Sequence, residues 1–161
     1  PGVAGAGVSL GTLTTGVVST SDGAGINSIF LTAASNATNG IVVTVKGTNT
    51  GLQGTSGGTI PTSSGALTAG SAGYGLCVFS TTQGGSSPAL FVKSAPYDGA
   101  CTKVNSHVVG SVTTTAQTMV SSSGALLGGS AEVLVKAAIS ATTPAGNDYQ
   151  DVVTFIATGT F

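Results

Sequence analysis

Two runs decide how this chain folds: Ala131-Glu132-Val133-Leu134-Val135-Lys136-Ala137-Ala138-Ile139 and Gln150-Asp151-Val152-Val153-Thr154-Phe155-Ile156-Ala157-Thr158-Gly159-Thr160-Phe161. In the first, Ala131, Val133, Val135, Ala137 and Ile139 share one parity, while Glu132, Leu134, Lys136, Ala138 and Ser140 share the other. Side chains of a strand alternate between its faces. The pattern therefore predicts a strand with one face on a core and the other, carrying both charges, mostly in water. Glu132 falls on the polar parity and is expected to be solvated. Ala141 to Asp148 is a run of turn-forming residues. In the second run Val153, Phe155, Ala157, Gly159 and Phe161 share a face, with Val152, Thr154, Ile156, Thr158 and Thr160 on the other. Two β-rich runs joined by a polar loop predict an antiparallel hairpin whose second strand continues to the last residue.

The same texture extends backward. Short bursts of Val, Thr, Ile and Phe recur between Gly, Ser and Thr punctuation, and no stretch offers helix formers at 3.6-residue spacing. Strands are predicted over Thr12 to Thr20, Ile26 to Ala33, Ile41 to Lys46 after an Asn39-Gly40 turn, and Tyr74 to Ser80. Others are predicted over Ala89 to Lys93, Val108 to Val112 and Thr118 to Ser121, with Pro96-Tyr97-Asp98-Gly99 as a turn. Residues 47–73, dominated by Gly, Ser and Thr, read as loop with one edge strand. At 161 residues the chain is long enough for one domain with a real core. The predicted class is all-β, an Ig-like or jelly-roll antiparallel β-sandwich completed by a strand from a neighbouring subunit. Its domains are a candidate donor strand over 1–10 and a single sandwich over 11–161.

Charge narrows the functional classes. Only 6% of residues are charged, and the four basic ones are scattered lysines, 46, 93, 103 and 136, with no arginine. Nucleic-acid binding needs clustered cations against phosphates, so that class is excluded. No apolar run approaches the roughly 20 residues of a membrane-spanning helix. No leader peptide is visible, and Pro1-Gly2 reads as an N-terminus left by processing. His107 is the only histidine and lies in no motif that would give it a nucleophile or an acid partner; a surface or strand-edge position is expected. No enzymatic activity and no cofactor are expected. Asp148 and Asp151, flanking Tyr149, form a weak calcium candidate, against which stand ordinary turn and strand-start roles. Trp is absent, which leaves carbohydrate recognition without its usual platform. Asn36-Ala37-Thr38 matches the glycosylation sequon.

Cys77 and Cys101 are the only cysteines. In a chain of this composition one pair predicts a disulfide and an oxidising compartment, with two buried thiols as the alternative. A loop of this size contributes roughly 3.5 kcal/mol on the chain-entropy account. Residues 1–10 are small and apolar, with Ala4, Ala6, Val8 and Leu10 on one parity and Val3 among the other. So glycine-rich a strand fixes its register poorly and needs a groove to hold it. A segment lent to a neighbour by β-augmentation satisfies that need; an ordinary first strand of its own domain, or a frayed tail, is the alternative.

Three segments carry a family likeness. Leu10-Gly11-Thr12-Leu13 resembles the short motif after the N-terminal strand of archaic chaperone–usher pilins and spore-coat-U-type domains. Ala37 to Val45 resembles their Gly-led second-strand segment, and Gly146 to Phe161 is similar to their closing run into a terminal aromatic. The resemblance implies a sandwich lacking one strand, filled by the next subunit's N-terminal extension. The wider class of secreted fibre subunits, including TasA-like filaments, implies the same. On this reading the chain is a structural subunit of an extracellular, cell-surface filament, with copies of itself as partners. Val3, Ala4, Ala6, Val8 and Leu10 would sit at the subunit interface. A self-contained adhesin or binding module for a surface or matrix ligand is the alternative.

Overall fold

The computed structural model describes residues 7–21, 28–55 and 57–161. Among these the regular structure is twelve strands and no helix: β1 (Ser19–Thr20), β2 (Ile29–Ser35), β3 (Ile41–Gly47), β4 (Gly51–Gln53), β5 (Thr59–Pro61), β6 (Gly65–Ala66), β7 (Gly73–Thr82), β8 (Val92–Lys93), β9 (Val108–Val109), β10 (Gln117–Ser122), β11 (Leu126–Ala138) and β12 (Val153–Gly159). They form two antiparallel four-stranded sheets packed as a β-sandwich, plus two small ribbons, β4–β5 and β6–β9. One sheet is built on β11, with β7 along one edge and β2 and β1 sharing the other. The second runs β12-β3-β10-β8.

The expected hairpin of the last two strands does not form. β11 pairs with β7 from Ser130 to Ala138, with β2 from Leu126 to Val133 and with β1 at Lys136 and Ala137. Between the last two, Ser21 N–H donates to Val135 O at 2.9 Å and Val135 N–H to Ser21 Oγ at 3.1 Å. No backbone edge of β11 remains for a further strand. The chain therefore crosses the sandwich after Ala138, and β12 pairs antiparallel with β3 instead, Val153 opposite Gly47 through Gly159 opposite Ile41. β12 ends at Gly159, so the chain does not end inside a strand, and Phe161 is almost fully exposed.

The expected water face of β11 is also covered. Ala131, Val133 and Ala137 join the main core with Ile41, Val43 and Val45 of β3 and Leu76 and Val78 of β7. On the opposite face Leu134 packs with Leu67, Cys77, Cys101 and Val109 in a second cluster. A strand buried on both faces presents no clean alternation. The flap on that second face, residues 97–109, is pinned by the Cys77–Cys101 disulfide.

Residues 47–73 hold three short strands rather than one, because Ile60 is fully buried and Leu52 nearly so. Other predicted strands shrink: Thr12 to Thr20 to β1, Ala89 to Lys93 to β8, and Val108 to Val112 to β9. Ile26 lies outside the described residues. The Asn39-Gly40 turn forms as expected, with Gly40 at φ +86°.

That glycine yields a graded test. A Cβ at Gly40 would collide with the Ser122 carbonyl oxygen, whereas one at Gly57, φ +85°, would meet open space. Gly57→Ala should cost about 1 kcal/mol from backbone conformation alone, and Gly40→Ala more than about 2 kcal/mol because the clash adds to it. Denaturant unfolding of the two variants compares them directly, and equal losses would contradict the geometry.

Candidate functional site, an open seam between two sheet edges

The sandwich has two long sides, and they are finished differently. On one, the outer edge of β7 is fully engaged. Leu76 and Gly110 exchange backbone hydrogen bonds of 3.1 and 2.7 Å, Val78 N–H donates to Tyr97 O at 3.0 Å, and Ser63 N–H to Tyr74 O at 2.7 Å. Lys93 of β8 reaches across to donate to Phe79 O at 2.8 Å. Gly110 is required there, since a Cβ would lie 2.6 Å from the Tyr97 ring. That side is stitched shut.

The other side is bounded by β2 and β12, each the terminal strand of its sheet. The ends of the two edges meet where Gly159 approaches Ser35 and Ala37. Along β2 the inward residues Ile29, Leu31 and Ala33 are only half-buried, and along β12 so are Val153 and Phe155, with Ala157 exposed. The floor behind them, Val43, Val45, Ala131 and Val133, is buried. Among the described residues no strand pairs with the outer edge of either. Each edge is seven residues long. Natural edges of this length are usually blunted by charge, proline or a bulge, yet Ile29–Ser35 and Val153–Gly159 contain neither a charge nor a proline. The bulge of the β2–β11 pair lies at its Leu126 end, on the covered strand.

The candidate donor residues divide here. Val3, Ala4 and Ala6 lie outside the described residues. Val8 and Leu10 are half-buried and belong to no strand, and Leu10, with Leu13, rests against the protomer's own core. The two calcium candidates are each engaged elsewhere. Asp148 accepts from the Thr55 amide at 2.7 Å and from its hydroxyl, and these bonds hold its carboxyl below the usual range. Asp151 Oδ1 accepts from the Asn49 amide at 3.0 Å and Asn49 Nδ2 at 3.2 Å. Both staple the β11–β12 crossover to the loops around β4. Among the described residues no group of three or more His, Cys, Asp or Glu is placed to hold a metal.

No family model, curated protein or solved structure matches this chain.

A second constellation, missed in the sequence, lies beneath the disulfide flap. Lys136 is fully buried, and its ammonium donates to Thr102 O at 2.7 Å and lies 3.2 Å from His107 Nδ1. Burial lowers the Lys136 pKa to about 8. Burial, and then the Lys136 charge, likewise lower that of His107, which is half-buried at the strand-edge position expected, bridged to Cys101 just before β9. Beside them Glu132, 9% exposed rather than solvated, accepts from Ser28 at 2.8 Å and pairs with Lys103 at 2.8 Å. Burial pushes the Glu132 carboxyl up, but the bonds from Lys103 and Ser28 outweigh it and its pKa falls below the ordinary value. Lys103 also sits 5.2 Å from the centre of the Phe79 ring. The available signal was a lysine sharing a strand face with Leu134 and Ala138.

The pH dependence follows from these bases. Both His107 and Lys136 bind protons less readily folded than unfolded, so folding weakens as pH falls through their unfolded values. Stability should decline as pH drops below about 6.5, as His107 charges beside Lys136. His107→Gln should flatten that acid limb. Between about pH 8 and 10 stability should rise with pH, and Lys136→Met should abolish that rise. Denaturation midpoints across pH measure both, and an unchanged acid limb in His107→Gln would contradict the His107 assignment.

Proposed function

We propose that the chain is a structural subunit of an extracellular filament, joined to its neighbours by a strand inserted into the β2–β12 seam. The observation that carries this reading is the pair of uncharged, seven-residue edges flanking half-covered apolar side chains. A strand seated there would pair its backbone with one or both edges and cover Ile29, Leu31, Val153 and Phe155 with its own side chains. The donated segment is the chain's N-terminal run, whose Val3, Ala4, Ala6 and Val8 are small enough to lie between two sheet edges. Leu10, held partly on its own core, marks where such a segment would leave the protomer.

Several features fit this role. Each apolar plug buried in the seam contributes roughly 1–2 kcal/mol, and repetition along a fibre adds avidity. A surface with four lysines and five acids packs on copies of itself without strong self-repulsion. The disulfide fits an oxidising compartment, and among the described residues no helix is long and apolar enough to cross a membrane. The likeness to archaic chaperone–usher pilins and TasA-like subunits points the same way. The role is mechanical cohesion without a catalytic step.

Removing residues 1–10 should convert polymer to monomer, read by electron microscopy and light scattering. Adding a peptide of residues 1–10 to the truncated protein should slow amide exchange over Ile29–Ser35 and Val153–Gly159. Filaments that persist without those residues, or a peptide that protects neither edge, would refute strand exchange and favour a self-contained binding module.

A further inference from the structure

Asn36-Ala37-Thr38 is the chain's single Asn-X-Ser/Thr triplet, although the sequence holds six asparagines. It occupies the connection between β2 and β3, where the chain passes from one sheet to the other. The triplet alternates sharply in burial. Ala37 is 1% exposed and anchors the loop, while Asn36 and Thr38 on either side are both exposed. The Ala37 amide donates to Ser35 Oγ at 3.1 Å, and the Gly40 amide to Ala37 O at 3.1 Å, so the loop backbone is held by its own bonds. Neither the Asn36 amide nor the Thr38 hydroxyl takes part in any of the side-chain hydrogen bonds among the described residues. Beside Asn36 lies a shallow, mostly apolar depression of about 350 Å³ with Ala34, Pro88, Ala125, Leu126 and Leu127 in its lining.

We propose that Asn36 is an N-glycosylation site whose first sugar lies over this depression. The co-reactant is a lipid-phosphate-linked oligosaccharide. The Asn36 Nδ2 lone pair attacks the anomeric carbon, and the new N–C1 bond replaces the C1–O bond to phosphate. The lipid phosphate leaves with the bonding electron pair, and a proton lost from Nδ2 neutralises one unit of its charge. A sequon needs its amide accessible and its hydroxyl free to orient that amide, and the alternation at Ala37 provides both. The disulfide fits the oxidising compartments where such transfer occurs. A glycan here also hydrates a surface poor in charge, at the end of the sandwich where Ser35 closes β2. The inference stands whether or not the seam accepts a strand.

The test is mass spectrometry of proteolytic peptides spanning Asn36, from protein recovered from the organism that makes it. Most such peptides should carry a hexose-containing mass, absent in Asn36→Gln and Thr38→Ala and retained at equal or reduced occupancy in Thr38→Ser. Thermal midpoints of the unglycosylated variants should match that of enzymatically deglycosylated protein, since neither side chain makes a hydrogen bond among the described residues. An unmodified Asn36 peptide, or a glycan mass that persists in Asn36→Gln, would overturn the proposal.

Discussion

The structure rests on the saturation of one strand. β11 is hydrogen-bonded along both edges, to β7 on one and to β2, Ser21 and β1 on the other. It is also packed on both faces, against the main core and against the disulfide-pinned flap. Everything that follows it in the chain must go elsewhere, because buried backbone polar groups must be paired and β11 has none to spare. The crossover to the second sheet and the lateral position of β12 both follow from that.

The same constraint explains the asymmetry of the two long sides. β7 lies where loops from 62–63, 97 and 110 reach it, so its outer carbonyls and amides are taken. β2 and β12 receive no such cover among the described residues, and their inward side chains are left half-exposed. An edge lacking charge and proline is normally an aggregation hazard. Here the two such edges bound one side of the sandwich, with half-buried apolar side chains between them.

The flap poses a separate problem. A lysine with no solvent exposure is costly unless its ammonium is bonded, and here a single carbonyl and an imidazole nitrogen take that role. The disulfide holds the flap that supplies both. Glu132 and Lys103 form a second, partly solvated pair on the same face. The flap is thus tied to the sheet by one covalent bond and a compact set of polar contacts, with Leu134, Leu67 and Val109 between them.

Much of this was legible in the sequence. β3, β7, β10 and β11 were readable from their β-branched runs, the Asn39-Gly40 turn from its residues, and the disulfide from the count of cysteines. Strand propensity and turn chemistry are local, so a local reading finds them. The partner of each strand is not local. Ala131–Ile139 and Val153–Gly159 have the same alternation whether they form a hairpin or sit in opposite sheets, and only competition for the edges of β11 decided between them. The fate of Glu132 and Lys136 likewise depended on a flap more than 20 residues away in the chain, and that of His107, in the flap, on the strand it folds over. The sequence by itself determined that this is an all-β sandwich with one disulfide; the tertiary structure alone decided which edges are left without a partner strand among the described residues, because hydrogen-bonding capacity is shared among strands and assigned only when all are in place.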